Sequence, residues 1–343
     1  MNDGSVRVDV NKLRLFAEEI MVAAGCGEYD ARVVVDLLLD ANLRGVDSHG
    51  ISRLGVYSER VEKGLVAGNT EISVERETEV SALVNGNNGS GAVVGLMAME
   101  LAISKAEKAG VAVIGVKNSN HCGTLAYYTS RAAEKGYIGL ATTNAPSTMP
   151  PYGAKKAWFG TNPLSYAFPI PDGNHIIFDM ATSAVARGKI ILAHKNKEKI
   201  PKGWALDVDG YPTTDPAAAL AGVVLPLGGP KGSGLALLVE VLSGILTGAA
   251  FGPHVGLLYD NPDGKQDLGH FFMAMRPNLF TSLEDYNSRI SQAINEIKSL
   301  PTAPGVEKIL LPGEPERLKK AERLAHGIPL SLEVFEELVE IGA

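Results

Sequence analysis

Residues 111–144 read VAVIGVKNSNHCGTLAYYTSRAAEKGYIGLATTN. VAVIGVKN is an apolar run of strand length, TLAYYTSRAAEKG has helical spacing and stops at a glycine, and YIGLATTN is a second strand. Strand, helix and strand in direct succession is the repeating unit of an α/β fold. The first joint, NSNHCGT, places His121 and Gly123 where the unpaired N–H groups of a helix start point outward, a natural place for an anion or a reacting oxygen. Cys122 between them reads as a small packing residue rather than a nucleophile.

The alternation extends in both directions. EISVERETEVSALVNG (71–86) has the pattern of two short strands, and residues 91–108 that of a helix. HIIFDMAT (175–182) and GHFFMAMRP (269–277) read as strands. SGLALLVEVLSGILTG (233–248) and residues 283–299 read as helices, the former with Leu235, Leu238, Val239, Leu242, Ile245 and Leu246 at helical spacing. The first 65 residues differ. They hold three amphipathic helices at 11–24 (capped by Asn11), 30–44 and about 51–63, closed by Gly25, Gly45 and Gly64. The tail from 301 has proline- and glycine-rich turns and a last helix capped by Ser331. The expected organisation is a helical domain made of 1–74 with 299–343, and a mixed α/β domain over 75–298.

Composition narrows the function. Of 343 residues, 45% are hydrophobic and 21% charged, enough apolar material for a large core, and the net charge of −7 argues against a nucleic-acid partner. No apolar run reaches the length of a membrane span, and MNDGSVRVDV lacks the layout of a signal peptide, so a cytoplasmic protein is expected. Cys26 and Cys122 offer no disulfide framework. The seven histidines are scattered without i+3 or i+4 partners, and YDNPDGKQD (259–267) lacks a calcium-loop pattern, so no metal is expected.

GVDSHGISRL (45–54) carries the most chemistry. His49 can move a proton near neutral pH, Ser48 can hold one ring nitrogen, and Arg53, four residues on, can grip a carboxylate from the same helical face. Such a set suits an acid with an adjacent hydroxyl or carbonyl, although a capped surface helix would also explain it. GPKGSG (229–234) precedes a helix with Lys231 able to neutralise a phosphate, but it does not match the triphosphate-loop motif. GNNGSGAVVG (86–95) fails the dinucleotide fingerprint and reads as a structural turn. In FGTNPLSYAFP and FDMATSAVARGK, Thr161 sits in a loop, and Thr182 or Ser183 can cap a helix bearing Arg187 and Lys189, two cations for an acidic ligand or for solvent.

Taken together, DSHGISRL, NSNHCGTLAYY, FGTNPLSYAFP, FDMATSAVARGK, GWALDVDGYPTTDP, LPLGGPKGSGLALLVEVLSG and LPGEPE, in register from about residue 10 to 330, make the chain similar to the malate/L-lactate dehydrogenase family of the second type. The resemblance implies a non-Rossmann mixed-sheet domain that binds NAD or NADP, a helical domain from both termini, and a homodimer with its active site near the dimer contact. It implies reversible oxidation of a 2-hydroxy acid, of malate or lactate type, to its 2-oxo acid. The alternative activities are reduction of a 2-oxo or diketo acid (sulfopyruvate, ureidoglycolate or diketogulonate type) at the same site and, ranked last, a non-catalytic dinucleotide sensor. By position, Ser48 and His49 resemble the pair that passes a proton to the substrate oxygen, and His121 resembles the proton acceptor of some members. Arg53 and Thr161 look like carboxylate binders, with Arg187 a further substrate contact. Gly123, Thr124, Asp179, Met180, Ala181, Lys231, Gly232, Pro312, Gly313 and Glu314 look like cofactor contacts, joined by His121. Lys189 replaces the aspartate of the imine-reducing members, which argues for hydroxy-acid chemistry with the lysine binding or polarising the substrate oxygen.

Overall fold

The computed structural model describes residues 5–259 and 264–342. Residues 1–4, at the head of the N-terminal stretch, and 260–263, inside the 259–267 segment, lie outside the described residues.

Strand β1 (Ser5–Val8) leads into helices α1 (Val10–Ala23), α2 (Glu28–Leu43) and α3 (Leu54–Glu62). Asp9, and not Asn11, caps α1: its carboxylate accepts from the N–H groups of Asn11 and Lys12 at 3.0 and 3.1 Å. The third helix also starts later than its apolar spacing predicts. Residues 47–49 and 51–53 form two 3₁₀ turns that break at Gly50, so His49 and Arg53 do not share a helical face.

The mixed region follows as β2 (Ser73–Glu77), β3 (Ser81–Asn85), α4 (Gly91–Ala109), β4 (Val111–Ser119), α5 (Ala126–Glu134), β5 (Ile138–Thr143), β6 (Leu164–Phe168) and β7 (Ile176–Met180). A smaller unit comprises α6 (Arg187–Lys195), β8 (Ala205–Leu206), β9 (Pro212–Thr213), α7 (Pro216–Ala221) and β10 (Val223–Val224), around its own cluster of Val185, Ile190, Ile200, Ala205, Ala219 and Val224. Neither Thr182 nor Ser183 caps α6. Their hydroxyls donate to the carbonyls of Thr161 and Val185, and the helix opens at Ala186 with no side-chain cap. Then come α8 (Pro230–Glu240), which runs on through a π turn at Val241–Ile245, β11 (Leu268–Met275), α9 (Leu283–Ser299), α10 (Glu314–His326), β12 (Ile328–Ser331) and α11 (Leu332–Ile341). Ser331 caps α11 as its spacing predicts. Helix α10 lies in the tail expected as turns, and its Leu318 and Leu324 face solvent.

Seven strands make the main sheet, in the order β2-β3-β4-β11-β5-β6-β7. Only β3 and β4 pair in parallel, with α4 as the crossover. Strand β11, the last of the seven in the chain, inserts antiparallel between β4 and β5. This is a mixed α/β sheet and not a doubly wound Rossmann sheet, whose strands run mostly parallel. Alternation sends Ala112, Ile114 and Val116 of β4 into the core, while Gly115 faces Thr247 beyond the π turn. The core runs unbroken from Leu38 and Leu54 through Val94 and Met99 to Ile114 and Phe272, and includes Leu330 and Leu338 near the C-terminus. β1 pairs with β12, which ties the two ends of the chain.

Helix α8 buries the opposite residues from an ordinary core helix. Its inward positions are Gly232, Ala236, Val239 and Glu240, followed by Ser243 and Gly244, whereas Leu237, Leu238, Val241, Ile245 and Leu246 are exposed.

Candidate active site

The 45–54 turn is held from two sides. From α2, Asn42 Oδ1 accepts the N–H of Ile51 at 2.7 Å, and its Nδ2 donates to Asp47 Oδ1 at 2.7 Å. A Cβ at position 50 would lie 2.2 Å from Asn42 Oδ1, so the close approach requires glycine there. From α10, the buried Arg323 makes a two-pronged pair with Asp47 at 2.6 and 3.0 Å and also donates to the Asn42 carbonyl. The turn is therefore fixed by a residue about 275 positions away. Arg323→Met should lower the unfolding free energy by about 1–3 kcal/mol, below the range for a fully buried pair because Asp47 is half exposed. It should also lower kcat. Denaturant titration beside steady-state rates checks this; unchanged values in both would show that the turn holds itself.

Within this frame the imidazoles of His49 and His121 stack, with centroids 5.9 Å apart and planes at 24°. Each has its Nδ1 engaged. Ser48 Oγ lies 3.0 Å from His49 Nδ1, and the Tyr57 hydroxyl lies 2.5 Å from His121 Nδ1. The Gly123 N–H also reaches His121 Nδ1, at 3.4 Å. A backbone N–H can only donate, so that nitrogen is an acceptor and the His121 proton sits on Nε2. Arg53 donates from Nε to the Ser48 carbonyl at 2.8 Å and lies over the Tyr259 ring, 5.5 Å from its centroid. Its two terminal nitrogens have no hydrogen-bond or ion-pair partner among the described residues. A fixed guanidinium with a free fork beside two imidazoles with free Nε2 atoms can hold a carboxylate and exchange a proton with the neighbouring oxygen. Tyr57 stands on α3 with no motif around it, and its role shows only once β4 brings His121 to it.

Both imidazoles are neutral at physiological pH. Burial, and then the Arg53 cation, pull His49 down to about 4. Burial holds His121 well below its usual value, with His49 and Arg53 adding to the effect. A third histidine, His270 on β11, is fully buried between Thr143 Oγ1 (2.7 Å) and Ser119 Oγ (2.8 Å), and burial takes it to about 3. Between about pH 4 and 6.5 the unfolded chain binds protons at all three positions that the native chain refuses, so stability rises with pH there. Asp179 opposes this. Desolvation raises its carboxyl to about 6, so in part of the same window the native chain keeps a proton that the unfolded chain has lost. Three protons against one leave a net dependence of about 2–3 kcal/mol per pH unit near pH 5. Urea midpoints at several pH values between 4.5 and 7 should fall steadily toward acid; a constant midpoint would contradict the buried neutral histidines.

A second group of residues extends from His121. Gly123, at φ +65° with Leu37 packed behind it, turns the chain into α5. The Asp179 carboxylate at the end of β7 accepts from the Ala126 N–H at 2.7 Å and so caps α5, which brings Asp179, Met180 and Ala181 beside Thr124. The Thr182 carbonyl accepts from the Leu227 N–H (2.9 Å), and the Leu227 carbonyl from the Gly232 N–H (2.7 Å), which sets Lys231 and Gly232 at the same edge. Across β7, the Ile177 N–H donates to the Pro312 carbonyl at 3.1 Å. Glu314, beside Gly313, pairs with Lys298 and accepts the Leu311 N–H, so its carboxylate is committed within its own turn. The fit to a dinucleotide can be tested here. Thr124 Oγ1 is buried with no hydrogen-bond partner among the described residues, and Lys231 is an exposed cation at the start of an 11-residue helix. A donor hydroxyl, a cation and a helix N-terminus on one edge fit a phosphate-bearing ligand.

Two expected site residues do not join this group in the single chain. Arg187 donates to the Leu220 carbonyl at 3.1 Å, and Lys189 is exposed on α6. Thr161 is held by its backbone, its carbonyl accepting from Thr182 N–H and Oγ1 at 2.8 and 2.9 Å. The next residue, Asn162, takes φ +38° and donates to the buried Glu240 at 2.6 Å. No cluster of metal-ligating side chains occurs among the described residues, and no helix there is long and apolar enough to cross a membrane.

Fold and site are those of an NAD(P)-dependent oxidoreductase acting on 2-hydroxy and 2-oxo acids. The family model of malate/L-lactate dehydrogenase matches residues 8–339. An L-sulfolactate dehydrogenase of Methanocaldococcus jannaschii is 41% identical over 325 residues, covering 94% of this chain and 92% of that protein. A malate dehydrogenase of Pyrococcus abyssi is 39% identical over 350 residues, covering 100% and 96%. The solved sulfolactate dehydrogenase from Methanocaldococcus jannaschii superposes with a TM-score of 0.92 at 39% identity, covering 98% of this chain and 96% of that one. The chain belongs to the malate/L-lactate dehydrogenase family.

Proposed function

We propose that the protein interconverts a small 2-hydroxy acid of malate type and its 2-oxo acid with NAD or NADP. The supporting observation is the His49–His121 stack with the free Arg53 fork beside it. Gly123, Thr124, the backbone of 179–181, Lys231, Gly232 and the turn at Pro312–Gly313 would hold the dinucleotide, with Asp179 and Glu314 shaping that edge. When bound there, the dinucleotide would supply the hydride acceptor or donor. Arg53 clamps the substrate carboxylate, which fixes the face of C2 turned toward the cofactor. His121 Nε2 exchanges the proton with the C2 oxygen, because it adjoins the Gly123–Thr124 edge. His49, oriented by Ser48, packs against it and helps keep it neutral. Thr161, whose carbonyl is held by Thr182, would add its hydroxyl to the substrate side.

The homodimer that the family resemblance implies would account for the remaining residues. A second copy laid on the exposed face of α8 would cover Leu237, Leu238 and Ile245. On α6, Ile191 and Leu192 are also exposed apolar residues, next to Lys189 and Arg187. In this arrangement one protomer's α6 supplies a second cation to its partner's site, and a substrate with a second anionic group is preferred. That favours malate or a sulfonated analogue over lactate, in keeping with the names of the relatives at 41% and 39% identity.

The test is a panel of malate, sulfolactate, lactate and ureidoglycolate against NAD and NADP, read at the reduced-nicotinamide absorbance in both directions. Malate or sulfolactate should exceed lactate in kcat/KM by about tenfold or more, the worth of one further charged contact. Silence across the panel would refute the activity, and lactate in the lead would refute the second cation.

A further inference from the structure

Behind Tyr57 and His121 lies a cavity of about 20 Å³, whose lining includes Tyr57, Arg60, Asn120, His121 and Gln266. A single water needs roughly 10–15 Å³ of such space. Three of these residues carry a buried polar atom with no hydrogen-bond partner among the described residues: Arg60 Nε, Asn120 Oδ1 and Gln266 Nε2. Their other polar atoms are committed. Gln266 Oε1 accepts the His121 N–H at 3.0 Å, Asn120 Nδ2 donates to the Gly89 carbonyl at 2.9 Å, and the Arg60 terminal nitrogens donate to the carbonyls of Leu258 and Gly264 at 3.3 and 3.2 Å. Tyr57 Oη, with its proton on the His121 bond, has acceptor capacity left. Two N–H donors and two oxygen acceptors on residues that line one cavity are the complement of a tetrahedral water.

We propose that this cavity holds a structural water, accepting from Gln266 Nε2 and Arg60 Nε and donating to Asn120 Oδ1 and Tyr57 Oη, and that the water and Tyr57 form a proton route to His121. The route rests on the hydroxy-acid reading above. In reduction, Nε2 of His121 gives its proton to the new alkoxide oxygen, which bears the charge of the incoming hydride. Tyr57 Oη gives its proton to Nδ1, and the water gives one to Oη and recovers it from solvent past half-buried Leu258. Each donor keeps its bonding pair, so the net uptake is one proton per hydride. The relay leaves Nε2 bare and Nδ1 protonated, the form required to take a proton in oxidation. Before the next reduction Nδ1 returns its proton through Tyr57 and the water while Nε2 takes one from solvent after the product leaves, so one proton is still consumed per hydride. Cys26 also lines the cavity, but burial pushes its thiol up to about 12, so it stays neutral there.

The experiment has two arms. A high-resolution crystal structure of the full chain should show ordered density within hydrogen-bonding reach of Gln266 Nε2 and Asn120 Oδ1. Its absence overturns the proposal whether or not the enzyme turns over. In the second arm, rates of oxo-acid reduction are measured in mixtures of light and heavy water. The wild type should give a bowed proton inventory, since more than one proton moves; a linear one overturns the route. Val66→Ile adds a methyl group to the cavity wall at a residue outside the proposed catalytic and binding set. It should lower kcat about tenfold, make the inventory linear and leave the substrate KM within about twofold. A full-rate Val66→Ile enzyme with the water displaced also overturns the route. If that variant does not fold, the wild-type inventory and structure decide. Inactivity across the substrate panel would sink the activity reading while leaving the water in place.

Discussion

Replacing His121 with alanine is expected to lower kcat by about two to four powers of ten in both directions, the usual contribution of a positioned proton-transfer group. Dinucleotide affinity, measured by fluorescence titration, should change little, because the edge proposed to face the phosphates runs through Gly123, Thr124 and Lys231 and not through the ring. Two observations single out His121. Its Nδ1 is tied to the Tyr57 hydroxyl at 2.5 Å, which leaves Nε2 for the substrate, and its backbone leads straight into the Gly123 turn. His49→Ala should also cost rate, but less, since it removes a packing and electrostatic neighbour. An inverted order, with His49→Ala the more damaging, would transfer the proton to His49. A His121→Ala enzyme within about threefold of wild-type kcat would remove it from the chemistry.

Arg53→Ala should cost about 2–4 kcal/mol in kcat/KM, or roughly 30- to 1000-fold, the loss of two charged hydrogen bonds to a carboxylate. Most of the loss should appear in KM. Part should appear in kcat, because the clamp also orients C2. Arg53→Lys is the more informative variant. It keeps the charge but loses both the fork and the Nε bond to the Ser48 carbonyl, so it should recover only a small part of the activity. Full recovery by lysine would reduce Arg53 to a diffuse positive charge. Neither variant should alter the unfolding midpoint appreciably, since Arg53 is half-buried and Arg323, not Arg53, fixes the turn.

Much of the site was legible because its residues lie close together in the chain. Ser48, His49 and Arg53 fall within six positions, and the strand-to-helix joint at His121 could be read from the change of hydrophobic period alone. Where the local reading failed, a longer-range contact had overridden it. The i,i+4 relation of His49 and Arg53 gives way because Asn42 and Arg323 pull residues 47–51 into tight turns. Thr182, a cap by its position, instead bonds Thr161 across the strand ends. Tyr57, Gln266 and Arg60 carry no motif. Only their neighbours across the fold give them a role, and no spacing rule could have found them.

Period and punctuation along the chain determined the α/β class and many of the elements, and marked the candidate acid-handling cluster, because these follow from which residues recur on one face and which end a segment. The order of the sheet was decided in three dimensions. Strand β11 enters between β4 and β5 by pairing His270 with Thr143, more than a hundred residues apart, which local periodicity cannot encode. The meeting of His121 with His49 and Tyr57 was decided in the same way, since the imidazole pair exists only where the end of one strand packs against a turn from the helical layer.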